Sequence, residues 1–333
     1  MEYRKLGSSE LTVSAVCQGT WSIVTEDFTW GRQEVTDSIA AIHASLDAGV
    51  NFFDTAEAYG GGESEDILAQ ALGTRRKDVV IASKVSSDHL DAKGLVAACE
   101  QSLRRLKTDY IDLYQVHWPS QTIPMSDLYP RLDDLRRQGK IRVIGVSNFG
   151  PDFLTDALAA GAVASNQLPY SLLWRAIEFA IQPMCAKNNV GILCYSPLCQ
   201  GLLTGKFASA DAVPETRART RLFSSKRPHS RHGEGGCETE TFEALAEIGR
   251  ICKAIHLPMG RVALAWLLAQ EAVVSVVAGA RTAAQAFDNA NAADLKLPPD
   301  VLAKLSAATD KVKRAMGSNA DFWQGQSRME KAK

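Results

Sequence analysis

Three polar residues sit directly after short apolar runs and a fourth lies in the loop beyond the first, and their side-chain types make a coherent chemical set. Asp54 follows VNFF (50–53) with Tyr59 five residues on, Lys84 closes VVIAS (79–83), and His117 closes YIDLYQV (110–116). A carboxylate, a phenol, an ammonium and an imidazole brought together make a proton-donating site. A phenol with a pKa of about 10 is a poor acid at neutral pH. An adjacent ammonium favours the phenolate and so strengthens the acid. A shift of ~3 units takes ~4 kcal/mol of differential interaction, at ~1.36 kcal/mol per unit. The aspartate keeps the lysine charged, so Asp54 and Lys84 are expected to lower the Tyr59 pKa and make it the acid. His117 can orient or polarise a carbonyl oxygen, and a general acid of this sort contributes roughly 10²–10⁴ in rate. Taken singly, each residue has an ordinary structural reading: Asp54 braces a loop or caps a helix, Tyr59 lines a wall, Lys84 lies on the surface, His117 sits satisfied in the core. Their joint placement at three successive strand ends argues for chemistry.

The elements that must position them alternate. Apolar, β-branched runs occupy 15–19, 50–53, 79–83, 110–116, 141–147, 162–167, 190–196 and 273–279. Between them lie helix-period stretches at 34–49, 63–73, 95–107, 126–140, 152–161, 174–188, 240–255 with 258–270, and 282–292. Gly49, Gly73, Gly139 and Gly161 stand where C-terminal helix caps are expected. Continuous rather than alternating apolar runs are what strands covered on both faces look like. Eight of them, each followed by a helix, predict an α/β fold of the (β/α)8 TIM-barrel type, which carries its chemistry on the C-terminal strand ends. An N-terminal β-hairpin (YRKLG, LTVSAV) and a C-terminal extra helix after Pro298 to about Ala315, followed by the tail GSNADFWQGQSR, complete a single domain expected to span 1–333. An open dinucleotide-binding sheet is disfavoured: Gly60-Gly61-Gly62-Glu63-Ser64-Glu65 starts G-x-G-x-x-G and fails at its last position, and no Walker A sequence exists. Residues 197–238, rich in Gly, Arg and Ser, have the length of a functional lid or a disordered loop.

Composition narrows the partners. With 46% hydrophobic and 23% charged residues and a net charge of −1, the chain reads as an ordinary soluble protein with no basic surplus for nucleic acid. Its longest apolar stretches, such as VALAWLLA (262–269), are too short to cross a bilayer, so no membrane partner is expected. The N-terminal MEYRKLGSSELT has no apolar signal core, which makes the cytoplasm the default compartment. Seven cysteines, with no C-x-x-C pair, read as free buried thiols. His229 and His232 have ligand-like spacing but no third ligand in place, so no metal is expected. GVSNF (145–149) lacks the closing glycine of a nucleophile elbow, which disfavours a serine hydrolase.

Set end to end, the motifs GTW (19–21), DAGVNFFDTAEAYGGGESE (47–65), IASK (81–84), LRRLKTDYIDLYQVHWP (103–119), GKIRVIGVSNF (139–149), YSPLCQGLLTGK (195–206) and VVAGARTAAQAFDN (276–289) resemble the aldo-keto reductase family over nearly the whole chain. The likeness is greatest to its bacterial, plant-type and potassium-channel-β-like branches. The family's catalytic Asp, Tyr, Lys and His fall on Asp54, Tyr59, Lys84 and His117. The resemblance implies a reduced nicotinamide delivering hydride to an aldehyde or ketone, such as a sugar, a polyol-derived carbonyl or a xenobiotic ketone. It also admits a different role, that of a cofactor-sensing regulatory subunit with little turnover.

The same resemblance assigns cofactor contacts. Gly19, Thr20 and Trp21 lie near the nicotinamide half; Ser147, Asn148 and Gln167 hold the carboxamide, near Asp54; and Tyr195 stacks on the ring. Ser196, Pro197, Leu198 and Gly201 form the pyrophosphate loop, with Lys206 and Arg219 on the phosphate side. Gly279, Arg281, Gln285, Asp288 and Asn289 meet the adenosine end. A 2′-phosphate wants a guanidinium, and Arg281 is placed to supply one, so NADP(H) is expected over NAD(H). Where other branches carry lysine and arginine, this chain has Gly279 and Gln285, and Asp288 replaces a commoner glutamate. Trp21, Tyr59, His117 and Trp118 are expected to line the pocket for a small carbonyl substrate, with Trp30 and Trp174 as further wall candidates. The basic stretch 217–231 reads as a mobile loop over a phosphorylated cofactor.

Overall fold

The computed structural model describes residues 1–332. Strands β1 (Tyr3–Lys5) and β2 (Thr12–Ser14) form the antiparallel hairpin. The eight barrel strands follow: β3 (Val16–Gly19), β4 (Phe52–Asp54), β5 (Val80–Val85), β6 (Ile111–Val116), β7 (Ile141–Ser147), β8 (Ser165–Pro169), β9 (Gly191–Tyr195) and β10 (Val273–Gly279). They run parallel in sequence order, and β10 closes on β3, so the expected (β/α)8 TIM barrel is the fold. Register places the chemistry: Gly19 pairs with Asp54 and with Gly279, Lys84 with Gln115, and Ser147 with Gln167, all at one end.

Two apolar layers hold this arrangement. Inside the barrel, Cys17, Phe52, Leu113 and Leu193 pack with the hairpin's Leu6, Leu11 and Val13, so the hairpin plugs the end opposite the polar rim. Outside, the strands' other faces meet the helices in one larger cluster. All seven cysteines are free and buried. Among the described residues no single helix is long and apolar enough to cross a membrane; Glu238–Ala254 and Met259–Leu268 pass together by length and composition but are bent by 95°.

Three local departures have physical causes. The expected helix 174–188 breaks into a 3-10 turn, Ala176–Phe179, and an α-helix, Ile181–Lys187. Pro183 has no N–H to donate back to Phe179, so a helix can restart only with the proline in its first turn. The expected helix 299–315 breaks at Thr309 into Pro299–Ala308 and Asp310–Met316. There the Arg175 guanidinium bonds the Ser306 carbonyl at 2.7 Å, Thr309 Oγ1 at 3.1 Å and the Asp310 carboxylate at 2.9 Å. Finally, the 197–238 segment is pinned along its length. Arg221 binds Glu234 at 2.8 and 3.0 Å and the carbonyls of Asn319 and Asp321, and Arg227 binds Asp211 and Glu238.

Candidate active site

The four strand-end residues meet at the floor of a cleft of about 600 Å³. Lys84 is fully buried, and its three N–H donors are all spent: on Asp54 Oδ1 at 2.7 Å, the Thr55 carbonyl at 2.9 Å and the Tyr59 hydroxyl at 3.2 Å. Asp54 Oδ2 accepts from Gln167 Nε2 at 2.7 Å, so both carboxylate oxygens are held. Thr20 donates its N–H and its hydroxyl to the Asp54 carbonyl, at 2.9 and 2.8 Å, and Ser64 Oγ lies within hydrogen-bond distance of the Thr20 and Thr55 hydroxyls. These buried hydroxyls fix the backbone from which Asp54 and Thr55 address the lysine.

Electrostatics correct one expectation. Burial would push Lys84 down, yet Asp54 and Tyr59 together raise it, so the ammonium stays charged. Burial pushes the Tyr59 phenol up by more than Lys84 pulls it down, so the expected lowering of the Tyr59 pKa does not occur. The phenol is held protonated, as a loaded donor. His117, whose ring meets Tyr59 edge-on at 5.8 Å, is pushed down to about 3 by burial and by Lys84, and is therefore a neutral imidazole.

Beside the tetrad runs a relay of amide and hydroxyl groups. Tyr195 donates to Asn148 Oδ1 at 2.9 Å; Asn148 Nδ2 donates to Ser147 Oγ and the His117 carbonyl, both at 3.1 Å; Ser147 Oγ donates to the Gln167 carbonyl at 3.0 Å. Gln167, expected near a carboxamide, thus also braces Asp54. The floor between Gly19 and Gly279 is bare: a Cβ on Gly279 would come within 3.1 Å of Ser22 Oγ. The adjoining loop is strained, with Ser196, Cys199, Gln200 and Gly201 all at positive φ. Successive left-handed residues of this kind turn backbone N–H groups into an anion-accepting concavity.

Along the cleft wall, Lys206, Arg217, Arg219, Arg231 and Arg281 line the same space, and among the described residues none has a carboxylate within 4.0 Å. Arg281 is held by neutral groups, Gln33 Oε1 at 2.8 Å and the Trp30 carbonyl at 2.7 Å, and it also bonds the Arg32 carbonyl. Arg217 lies over the Trp30 ring at 4.9 Å, and among the described residues its buried Nε has no partner, nor do Trp30 Nε1 and Gln200 Oε1. At the far end, Asp288 pairs with Arg261 at 2.8 Å, Gln285 accepts from the Arg281 N–H at 2.8 Å, and Asn289 donates to the Gly279 carbonyl at 3.2 Å.

The opposite wall comes from residues the sequence did not assign. Asp321 accepts the backbone N–H groups of Trp323, Gln324 and Arg328 and both edges of the Arg328 guanidinium, at 2.8–3.2 Å. That guanidinium lies 3.7 Å from the Trp118 ring centre, and Trp323, Gln324 and Arg328 line the cleft. Trp21 stacks near Tyr59 at 6.3 Å and meets Trp30 edge-on at 5.9 Å. Trp174 does not reach the cleft: it is buried against Phe322, and its Nε1 donates to the Ala320 carbonyl at 3.2 Å. The only advance signal for the tail was two aromatics and an arginine in DFWQGQSR, with no period to say where they point. His229 packs edge-on against Phe28 at 4.8 Å, whereas His232 is buried against the Thr220 carbonyl.

Comparisons with known proteins agree with this geometry. An aldo-keto reductase of Bacillus subtilis, YhdN, is 33% identical over 301 residues, covering 86% of each chain. A probable voltage-gated potassium channel subunit beta of rice is 30% identical over 92% of this chain and 96% of its own. The NADH-specific methylglyoxal reductase of Escherichia coli is 30% identical over 88% of this chain and 93% of its own. Among solved structures, an aldo/keto reductase of Klebsiella pneumoniae in complex with NADP and acetate superposes with a TM-score of 0.73, at 28% identity over 92% of this chain and 95% of that one. The model of the aldo/keto reductase family matches residues 15–310, and the chain belongs to that family.

Proposed function

We propose that the protein reduces an aldehyde or ketone to an alcohol with NADPH, Tyr59 acting as general acid. One observation carries this reading: a charged lysine with all donors committed, one of them to a protonated tyrosine, at the floor of a cleft walled by unpaired cations. The residues present fit the cofactor. Phosphates answer Lys206, Arg217 and Arg281, whose three charges suit a diphosphate plus a phosphate monoester of about −1.5 to −2. The Ser196–Gly201 loop offers N–H groups to the diphosphate, the amides of Asn148 and Gln167 suit a carboxamide, and Tyr195 offers a flat face. The names of two relatives divide on NADP and NADH; here two guanidiniums free of carboxylates favour the 2′-phosphate and make NADH the weaker ligand.

Bound there, the reduced nicotinamide supplies hydride to the carbonyl carbon. Tyr59 donates its proton to the carbonyl oxygen as negative charge develops on it. The nascent phenolate is met by Lys84 Nζ at 3.2 Å, and Asp54 keeps that ammonium charged. The neutral His117 imidazole offers an N–H to the same oxygen, fixing the carbonyl's orientation. Trp21, Trp118 and Trp323 exclude water from the reacting end. The test is NADPH oxidation over a panel of aldehydes, with Tyr59→Phe as the variant. Turnover should drop by roughly 10²–10⁴ while NADPH still binds; equal rates in the two proteins would overturn the role of Tyr59. NADPH binding with no turnover of any carbonyl would favour a regulatory subunit, the reading that similarity to the rice channel subunit supports.

A further inference from the structure

The five carboxylate-free cations of the cleft fall into two groups. Lys206, Arg217 and Arg281 act on one another: Arg217 depresses Lys206, and Arg281 depresses Arg217, after burial in each case. Arg219 has other neighbours: it lies against Trp323 and Phe28, and after burial Arg231 pushes its pKa down while Asp27 pulls it up. Its Nε is spent on the Thr216 carbonyl and its Nη2 on Thr29 Oγ1, both at 2.9 Å, which leaves Nη1 without a partner among the described residues. Its guanidinium lies 4.7 Å from the Trp323 ring centre and 5.7 Å from that of Phe28.

Trp323 connects this second group to the reacting end. The Asp321 latch ties the Trp323 backbone to Arg328, Arg328 lies on Trp118, and Trp118 follows His117 in the chain. One continuous wall therefore leads from the tetrad to Arg219, and Arg231 lines the same cleft. Arg231 is exposed and pairs with no carboxylate among the described residues. The first group supplies three charges towards a dinucleotide's phosphates, and Arg219 and Arg231 are two further cations of the cleft.

We infer that Arg219 and Arg231 form an anion-accepting subsite at the mouth of the substrate pocket, so that the preferred carbonyl substrates carry a second, negatively charged group, a carboxylate or a phosphate ester. This rests on the carbonyl-reductase reading above. Trp323 packs against the Arg219 guanidinium and holds its plane, which suits a flat carboxylate or a phosphate face.

Matched substrate pairs test it: benzaldehyde against 4-carboxybenzaldehyde, and glyceraldehyde against its 3-phosphate, all with NADPH at fixed ionic strength. In the wild type the anionic member of at least one pair should have the higher kcat/KM, by about tenfold, equivalent to ~1.4 kcal/mol. The winning pair identifies the anion as carboxylate or phosphate. In Arg219→Gln and in Arg231→Gln that ratio should fall towards about 1, and added salt should compress the wild-type ratio. NADPH titration by fluorescence is the independent readout: Arg217→Gln should weaken NADPH more than Arg219→Gln does. A wild-type ratio near 1 in both pairs overturns the inference, as does a ratio that survives both substitutions. Arg219→Gln weakening NADPH as strongly as Arg217→Gln would place Arg219 with the cofactor and overturn it as well. Reduction of the neutral aldehydes without an anionic advantage sinks this inference alone. Failure to oxidise NADPH with any aldehyde sinks the reductase reading and this one with it.

Discussion

The rim of strand ends and the wall built from the 214–232 segment and the tail are organised on different principles. On the rim, each functional group sits at a strand terminus or within the first turn beyond it, and other strand ends supply its partners: Lys84 from the adjoining strand to Asp54 at 2.7 Å, Gln167 from across the barrel to Asp54 at 2.7 Å. On the wall, partners come from irregular segments rather than strand ends. Arg219 reaches Thr29 across 190 positions, and Arg221 reaches the Asp321 carbonyl across 100. The difference separates two jobs. In the proposed reaction the barrel register would fix the proton chemistry, while two irregular segments latched to each other would shape what is brought to it. Such a division lets ligand preference vary by loop while the chemistry stays put.

Breaking the rim should have the largest effect. Lys84→Met removes the cation that both Asp54 and Tyr59 face, and it leaves the Asp54 carboxylate buried with only Gln167 as partner. Turnover should fall by roughly 10²–10⁴, and unfolding free energy by about 3–5 kcal/mol for an uncompensated buried charge. Initial rates and denaturant titration measure the two. Turnover within tenfold of wild type would mean that the rim does not work as a coupled unit.

Breaking the wall should do less, and differently. Asp321→Ala releases three backbone N–H groups and the Arg328 guanidinium at once. Because the tail can open locally, the expected loss of global stability is smaller, about 1–3 kcal/mol. The KM for the carbonyl substrate should rise by more than kcat falls, with faster amide exchange confined to 321–329. Equal exchange changes in the barrel strands would show that wall and rim are one cooperative unit.

The same division explains what could be read in advance. Strands covered on both faces must be apolar throughout, so β7 and β10 coincide with their runs, 141–147 and 273–279. The run 50–53 shifts by two because Val50 still belongs to the preceding helix end, its N–H bonding the Ser45 carbonyl at 2.9 Å. Polar residues closing apolar runs gave away the tetrad, since the fold leaves them nowhere else to point. No such rule separates Arg217 from Arg219: two positions apart in an irregular segment, they face different neighbours for reasons set by Trp30 and Trp323. Gly161 is the expected C-terminal cap of its helix, with an extended backbone at φ 164. What requires a glycine there is the Tyr129 ring, whose Cζ lies 2.1 Å from where a Cβ would stand, a tertiary contact that local reading cannot see.

The smallest effect expected is a change of slope with pH, and it sharpens the same contrast. His117 sits on the rim with its pKa pushed down to about 3, mostly by burial and then by Lys84. In the unfolded chain a histidine titrates near ~6.5. The unfolded state therefore binds more protons than the fold between these two values, and stability must fall as pH falls through that window. Above ~6.5 the imidazole is neutral in both states and contributes no pH dependence. His117→Gln removes this titration and leaves the other buried groups to titrate as before. Denaturant titrations at about pH 4, 5, 6 and 7 should show a shallower acid slope in the variant, by up to about one proton per molecule. Identical slopes would mean that His117 is charged in the fold. It would then be an ammonium-like group beside Lys84, rather than the neutral donor that carbonyl orientation by the rim requires.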